Sequence, residues 1–121
     1  MYFVCRKCSA QLSNSLNEVD LSGRNKTEGE FYISRGQVVR EDGSYFCGFP
    51  GAFITDPNDV IHVHVDLTRS GGCCGNDGSC GPNLQCESCK THVATQIEEC
   101  YMPHRVVFDP AAAVSKEGIS T

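Results

Sequence analysis

Two pairs of cysteines with the same spacing and the same flanks constrain this chain more than any other feature. The first stretch reads FVCRKCSAQL, residues 3–12, and the second reads LQCESCKTHV, residues 84–93. In both stretches the cysteines occupy the third and sixth positions. The first and tenth positions are apolar in both. We therefore expect two similar hairpins, far apart in sequence, that face each other in the fold.

Four thiolates from two Cys-x-x-Cys turns can surround one metal ion. The predicted ligands are Cys5, Cys8, Cys86 and Cys89, which together provide the closed tetrahedral coordination of a structural zinc ion. The alternatives are a thioredoxin-like redox pair and four free buried thiols. A thioredoxin-like pair requires a helix directly after the motif, and no helical periodicity follows either stretch. The pattern therefore predicts one structural Zn²⁺.

The separation of the two pairs indicates what the metal would do for the fold. Residues 9–85 lie between them, whereas simple zinc ribbons separate their pairs by roughly 15–20 residues. The ion would connect the first strand to the last third of the chain, with nearly the whole domain inserted between the two halves of the site. Removal of the metal is therefore expected to unfold much of the protein.

Length and composition indicate one soluble domain. The chain has 121 residues, of which 40% are hydrophobic and 21% charged, as in ordinary globular proteins. The stretch MYFVCRKCSAQ lacks the features of a secretory signal, and no apolar run approaches the roughly 18 residues of a membrane span. With an odd number of cysteines, nine, these features predict a cytoplasmic protein without membrane contact, whose thiols bind metal or react. We expect a domain over residues 1–110 and a short tail over 111–121.

The charge distribution argues against nucleic acid as a partner. Fifteen acidic and ten basic side chains give a net charge of -5. The basic residues are scattered along the chain, so no basic stripe is available to follow a phosphate backbone.

Short alternating stretches separated by turn signals predict a mainly β fold of antiparallel strands. The predicted strands are residues 30–39, 45–49, 60–67, 92–97 and 105–108. In the clearest of them, VIHVHVDL at 60–67, one face carries Ile61, Val63, Val65 and Leu67 and the other carries His62, His64 and Asp66. The polar stretch 13–29 suits a loop or an edge strand, and the tail after Pro110 suits one helical turn.

Five cysteines remain outside the predicted zinc site: Cys47, Cys73, Cys74, Cys80 and Cys100. One interpretation is a second metal site in which Cys73, Cys74 or Cys80 joins His62 or His64. Another is a catalytic thiol, Cys74 or Cys100, with His92 or His104 as its base. The third is ordinary packing of buried free thiols.

The two Cys-x-x-Cys turns, of the type called zinc knuckles, resemble those of the β-tent group. That group includes methionine sulfoxide reductase B, the Rab-associated zinc proteins and the thalidomide-binding domain of cereblon. The run CESCKTHVATQIEEC, residues 86–100, is similar to the second knuckle and following strand of those domains. The longer run that begins with GCCGNDGSCGPNL at residue 72 is similar to a motif of uncharacterised bacterial proteins. The resemblance implies antiparallel sheets joined by a structural zinc ion.

Two departures keep the activities of that group from being carried over. The reductase has its nucleophilic cysteine in a strand near the C-terminus, but the corresponding run HRVVFDPAAAV, residues 104–114, contains no cysteine. The cereblon pocket is walled by tryptophans, and this chain has none.

We therefore favour a non-enzymatic, zinc-stabilised module that binds a small ligand or a protein partner in a groove between its sheets. The expected lining residues are His62, His64 and Asp66. The alternatives are a thiol-dependent redox enzyme that acts on a sulfoxide or peroxide, and a protein of metal sensing or delivery.

Overall fold

The computed structural model describes residues 1–20, 31–40, 52–69, 82–98 and 104–117. These residues form nine short strands and two 3-10 turns, and none of them lies in an α-helix. The predicted mainly β class is confirmed. The strands are β1 Tyr2–Cys5, β2 Asn17–Glu18, β3 Gln37–Arg40, β4 Phe53–Thr55, β5 Val63–Val65, β6 Leu84–Cys86, β7 His92–Ile97, β8 Arg105–Phe108 and β9 Ala113–Lys116, and the 3-10 turns are Pro57–Asp59 and Leu67–Arg69. No helix within these ranges is long and apolar enough to cross a membrane.

The described strands form two sheets. The smaller sheet pairs β1 with β9, and the larger sheet has the order β2-β3-β4-β8-β7-β6-β5. The pairings of both sheets are antiparallel except β2 with β3, which is parallel. The predicted strands at 92–97 and 105–108 coincide with β7 and β8.

Two clusters of buried side chains form the core. The first cluster includes residues of both sheets, and in it Phe3 of β1 stacks on Phe108 of β8 with ring centroids 4.2 Å apart. The second cluster contains residues of the larger sheet and its loops, among them Tyr32, Ile54 and Ile97. Strand β8 contributes to both, because successive side chains of a strand point to opposite faces. Phe108 therefore belongs to the first cluster and Val107 to the second.

The predicted strand at 60–67 is shorter in the structure. His62 has a φ of 57°, in the left-handed region, so the extended backbone starts at Val63. After Val65 the chain turns into the 3-10 segment Leu67–Arg69, because the Asp66 side chain accepts the Thr68 N–H at 3.0 Å. Leu67 is therefore 82% exposed, and its expected place on the apolar face with Val63 is wrong.

Four other expectations about secondary structure have different outcomes. The predicted strand at 30–39 is interrupted by a turn at Gly36, whose φ is 81°, and the strand occupies Gln37–Arg40. The turn expected after Pro110 is present, since Asp109 O accepts the N–H groups of Ala112 and Ala113, but the chain does not fray after it and residues 113–116 form β9. The predicted strand at 45–49 lies outside the described residues. The polar stretch beginning at residue 13 contributes the short edge strand β2.

Candidate metal centre

The four predicted ligand residues form one cluster. Cys5 ends β1 and Cys86 ends β6, and Cys8 and Cys89 follow in the two turns. The Sγ atoms of all four lie within 4.8 Å of one another, with 3.6 Å between Cys5 and Cys89 and 3.6 Å between Cys8 and Cys86. Four sulfurs placed tetrahedrally at about 2.3 Å from an ion are about 3.8 Å apart. The spacing of the thiols therefore fits a metal ion.

The two turns have the same backbone conformation. Ser9 and Lys90, each directly after the second cysteine of its pair, both have a φ of 65°. Ser9 N–H donates to Cys5 O at 2.8 Å, and Lys90 N–H donates to Cys86 O at 2.8 Å. The sequence repeat is thus also a structural repeat.

The backbone that follows each turn also makes equivalent hydrogen bonds in the two stretches. Cys5 N–H donates to Ala10 O at 2.8 Å, and Cys86 N–H donates to Thr91 O at 2.9 Å. These hydrogen bonds close each turn into a narrow hairpin. In each turn the first cysteine is therefore fixed through both its N–H and its carbonyl group.

The strand that leads into each hairpin pairs with a neighbouring strand at the equivalent position. Strand β9 lies beside β1 with Ala113 opposite Cys5, and strand β5 lies beside β6 with Val63 opposite Cys86. Because β1 belongs to the smaller sheet and β6 to the larger one, an ion at the four sulfurs would connect the two sheets.

The two less buried cysteines of the centre, Cys8 and Cys89, differ in the acidity of their thiols. The N–H of Ala10 tends to lower the pKa of Cys8, but desolvation and hydrogen bonds from the neighbouring thiols prevail and raise it to about 12. The pKa of Cys89 is lowered to about 6, because the hydroxyl and the N–H of Thr91 both stabilise its thiolate. The Thr91 Oγ1 lies 3.1 Å from the Cys89 Sγ, while Ala10 at the equivalent position has no hydroxyl. Bound metal competes with these protons for the sulfurs.

Each turn supplies one buried and one more exposed cysteine. Cys5 and Cys86 are 1% and 0% exposed and belong to the first core cluster. Cys8 is exposed and Cys89 is half-buried. The cluster therefore lies where the first core meets the surface.

The predicted second metal site stays a prediction. Within the described ranges, the four cysteines are the one group of three or more potential ligands close enough to share an ion. Cys73, Cys74 and Cys80 lie outside those ranges, as do Cys47 and Cys100. His62 Nδ1 lies 2.9 Å from Gln11 O, and His64 is exposed.

A pair that the sequence did not predict lies on the larger sheet. Asp66 Oδ2 is 2.8 Å from His92 Nε2, and Asp66 Oδ1 accepts hydrogen bonds from the hydroxyl and the N–H of Thr68. Hydrogen bonds from Thr68 and His92 lower the pKa of Asp66 to about 2. The carboxylate is thus ionised at neutral pH, so Nε2 carries the proton and Nδ1 is the acceptor atom of a neutral His92 ring.

Asp66 was predicted to line a groove with His62 and His64, whereas the structure joins it to His92. The two residues are 26 positions apart. They meet because β6 lies between β5 and β7 in the sheet, a long-range arrangement for which no local spacing gives a signal. The lining of a groove by His62, His64 and Asp66 stays a prediction.

The four-cysteine cluster in a mostly β fold agrees with the general part of the β-tent resemblance. It does not distinguish among the members of that group, since a closed cluster can occur with any activity elsewhere on the fold. Comparisons of the chain with protein-family models, with curated proteins and with solved structures found no match.

Proposed function

We propose that this protein is a small binding module whose β scaffold is stabilised by one structural Zn²⁺. The observation that carries the proposal is the number of thiols at the centre. Cys5, Cys8, Cys86 and Cys89 supply all four corners of a tetrahedron. No corner is left for water or substrate, and a closed centre of this kind is structural, whereas catalytic zinc sites retain an open position.

The donor set and its surroundings support zinc as the occupant. Tetrahedral sites of four sulfurs take zinc or iron, and zinc binds without redox chemistry. Backbone N–H groups of Ala10 and Thr91 approach the sulfurs of Cys8 and Cys89. They offset part of the negative charge that four thiolates bring to one ion.

The position of the centre supports a scaffold role. The sheets that it would join share the first core cluster, to which Phe3 of the smaller sheet and Phe108 of the larger sheet both belong. A metal that binds the folded state alone adds its binding free energy to the stability of the fold. We propose a cytoplasmic protein whose partner is a small ligand or another protein, because the net charge of -5 disfavours nucleic acid.

Elemental analysis of protein purified without chelators or added zinc tests the proposal. The wild type is compared with Cys86→Ser and with Ser88→Ala, a change at an exposed residue of the same turn. We expect one equivalent of zinc in the wild type and in Ser88→Ala. In Cys86→Ser we expect loss of the zinc together with a large fall in the free energy of unfolding.

Three results would change the assignment. A folded wild type without metal would contradict the zinc centre and make thiol or disulfide chemistry the leading explanation. Iron in place of zinc would preserve the closed site but contradict the identity of the ion. Two equivalents of zinc would support the second metal site predicted around Cys73 and Cys74.

We also propose that the fold is related to the β-tent group. The support is the pair of equivalent hairpins that bring their cysteines together from two different sheets.

A second candidate function, a thiol-dependent redox enzyme, is favoured by the Asp66–His92 pair. A carboxylate that orients a histidine, whose other nitrogen can accept a proton, is the arrangement that activates nucleophiles. Alkylation of the zinc-loaded protein by iodoacetamide near neutral pH tests it. One fast thiol that becomes slow in His92→Gln would support the enzyme, whereas uniformly slow thiols would contradict it. Metal sensing or delivery instead predicts exchangeable zinc beyond one equivalent.

A further inference from the structure

We propose that a cavity between the two sheets binds a small aromatic carboxylate, a molecule with one ring and a negative charge. The inference specifies the ligand class of the proposed binding module and rests on that function. The cavity has a volume of about 170 Å³. Its lining among the described residues includes Phe3 of β1, Phe53 of β4, Phe108 of β8, Ser115 of β9 and Arg6 of the first cysteine turn. Residues of both sheets thus form its walls.

Three phenylalanine rings form the apolar part of the walls. Phe3 stacks on Phe108 with an angle of 12° between the ring planes, and Phe53 meets Phe3 edge-on with ring centroids 5.2 Å apart. Phe3 and Phe108 are 1% and 2% exposed, so the surrounding core fixes their rings before a ligand arrives. The ring of a ligand can pack on such a wall in the same stacked or edge-on geometries.

Arg6 supplies a positive charge to the lining. Its Nε donates to Pro110 O at 3.0 Å, and its backbone N–H donates to Ala112 O at 2.9 Å. These two hydrogen bonds hold the guanidinium beside the cavity. Its terminal nitrogens have no acceptor, and it pairs with no acidic side chain, among the described residues. A planar guanidinium with free N–H groups binds a carboxylate through two parallel hydrogen bonds.

Arg40 adds a second positive charge beside the same wall. Its guanidinium carbon lies 4.7 Å from the centroid of the Phe53 ring, and it pairs with no acidic side chain in the part of the chain that the structure describes. The described lining contains no acidic residue. Asp109, next to the lining residue Pro110, accepts the Ala111 N–H with its Oδ1 at 2.9 Å. The described lining therefore has a net positive charge, which favours an anion over a cation of the same shape.

Ser115 offers a neutral hydrogen-bond donor in the lining. It lies opposite Phe3 in the pairing of β1 with β9, so both side chains lie on the same face of the smaller sheet. A hydroxyl can donate to a carboxylate oxygen. An apolar concavity with a small number of polar groups is the usual form of a small-molecule site.

The volume limits the ligand to one ring with a small substituent. A cavity of about 150 Å³ accommodates benzene, and this cavity has about 170 Å³. A benzene ring would thus fill the space between the phenylalanines, with its carboxylate directed to Arg6. Benzoate is a suitable probe. Benzamide has nearly the same shape without the charge, and benzamidine, which is protonated at neutral pH, reverses the charge.

Titration of the zinc-loaded, ¹⁵N-labelled full chain, followed by two-dimensional NMR, tests the proposal. We expect benzoate to shift the amide signals of Phe3, Phe53 and Ser115, with a Kd in the millimolar range typical of so small a ligand. Benzamide should bind more weakly, and benzamidine should bind most weakly of the three. All titrations are made at one ionic strength, because salt screens exposed charges.

Two variants connect the binding to the two arginines. Arg6→Gln removes the charge and keeps an N–H donor for Pro110 O, and it should weaken benzoate binding about tenfold while changing benzamide binding little. Arg40→Gln should weaken benzoate binding about twofold, because its charge acts from outside the lining. Arg35→Gln is the matched control. Arg35 is exposed and lies outside the described lining, so the loss of its charge should leave all the Kd values unchanged.

Several outcomes would overturn the carboxylate site. These are equal affinities for benzoate and benzamide, signal shifts that do not include the lining residues, and equal weakening of benzoate binding by Arg6→Gln and Arg35→Gln. Zinc is measured in the same samples, and its loss from folded Arg6→Gln would assign the arginine to the metal centre and also overturn the site. Folded wild type with one zinc and no benzoate binding would contradict the ligand class alone, whereas folded wild type without zinc would contradict the scaffold role.

Discussion

The carboxylate of Asp66 receives hydrogen bonds from the Thr68 hydroxyl at 2.6 Å, the Thr68 N–H at 3.0 Å and the His92 ring at 2.8 Å. These donors stabilise the ionised form and lower the pKa from 3.8 to about 2. Because the pKa is lower in the folded protein than in the unfolded chain, the pair stabilises the fold above about pH 4. That contribution is lost as the pH falls from about 4 toward 2.

Replacement of Thr68 tests the main cause of this shift. Thr68→Val removes the hydroxyl and keeps the backbone N–H, so we expect the pKa of Asp66 to rise toward 3.8. Carboxyl ¹³C NMR measures the pKa of Asp66 in a titration from pH 6 down to the lowest pH at which the protein stays folded. The Asp66 signal should begin to shift at a higher pH in the variant than in the wild type. His92→Gln should shift the pKa of Asp66 in the same direction. An unchanged titration in Thr68→Val would contradict the assigned cause.

Sequence predicted the four-cysteine cluster but not the Asp66–His92 pair. The spacing of Cys5 and Cys8, and of Cys86 and Cys89, is local, and such turns adopt one geometry that delivers both sulfurs. Asp66 and His92 meet through two strand pairings. Neither pairing could be derived from the stretch around Asp66 or around His92.

Strand β9 is an element that the sequence predicted as a tail. It pairs with β1, and Ala112 and Ala113 belong to the first core cluster. A chain that ends at Pro110 loses this pairing and exposes Phe3, so we expect its free energy of unfolding to fall by about 3 kcal/mol or more. Urea unfolding of the zinc-loaded protein measures the change.

A chain that ends at residue 117 is the matched control, because it keeps the whole of β9. It should unfold at nearly the same urea concentration as the full chain. If both shortened chains have wild-type stability, β9 does not support the first core.

The elements that the sequence predicted well differ from those it missed in a physical respect. The runs at 92–97 and 105–108 consist mainly of β-branched and apolar residues, with His92, Gln96 and Arg105 as the exceptions, and such a composition suits a buried sheet. The run at 60–67 also alternates, but the local hydrogen bond from Thr68 N–H to Asp66 competes with strand extension. The alanines after Pro110 favour a helix by propensity, but they form only one turn, because the pairing of β9 with β1 begins at Ala113.

At the scale of the molecule, the two core clusters differ in their relation to the metal. The first contains Cys5 and Cys86 and lies between the two sheets, whereas the second contains no metal ligand and lies on the larger sheet. The smaller sheet thus packs on the rest of the fold through the first cluster, and the proposed metal would add a second connection. Removal of the metal should therefore lower the local stability around the first cluster more than the local stability around the second.

Hydrogen exchange measured by mass spectrometry, before and after chelation with EDTA, tests the division. Removal of zinc releases the end of β1 from the end of β6, so we expect the amides of β1 and β9 to lose the most protection. Amides of β3 and β4, which pair with each other beside the second cluster, should lose the least. Cys86→Ser without chelator should show the same order, and EDTA should then change its exchange little. An equal loss of protection in β1, β9, β3 and β4 would show instead that both cores unfold as one unit that depends throughout on the metal.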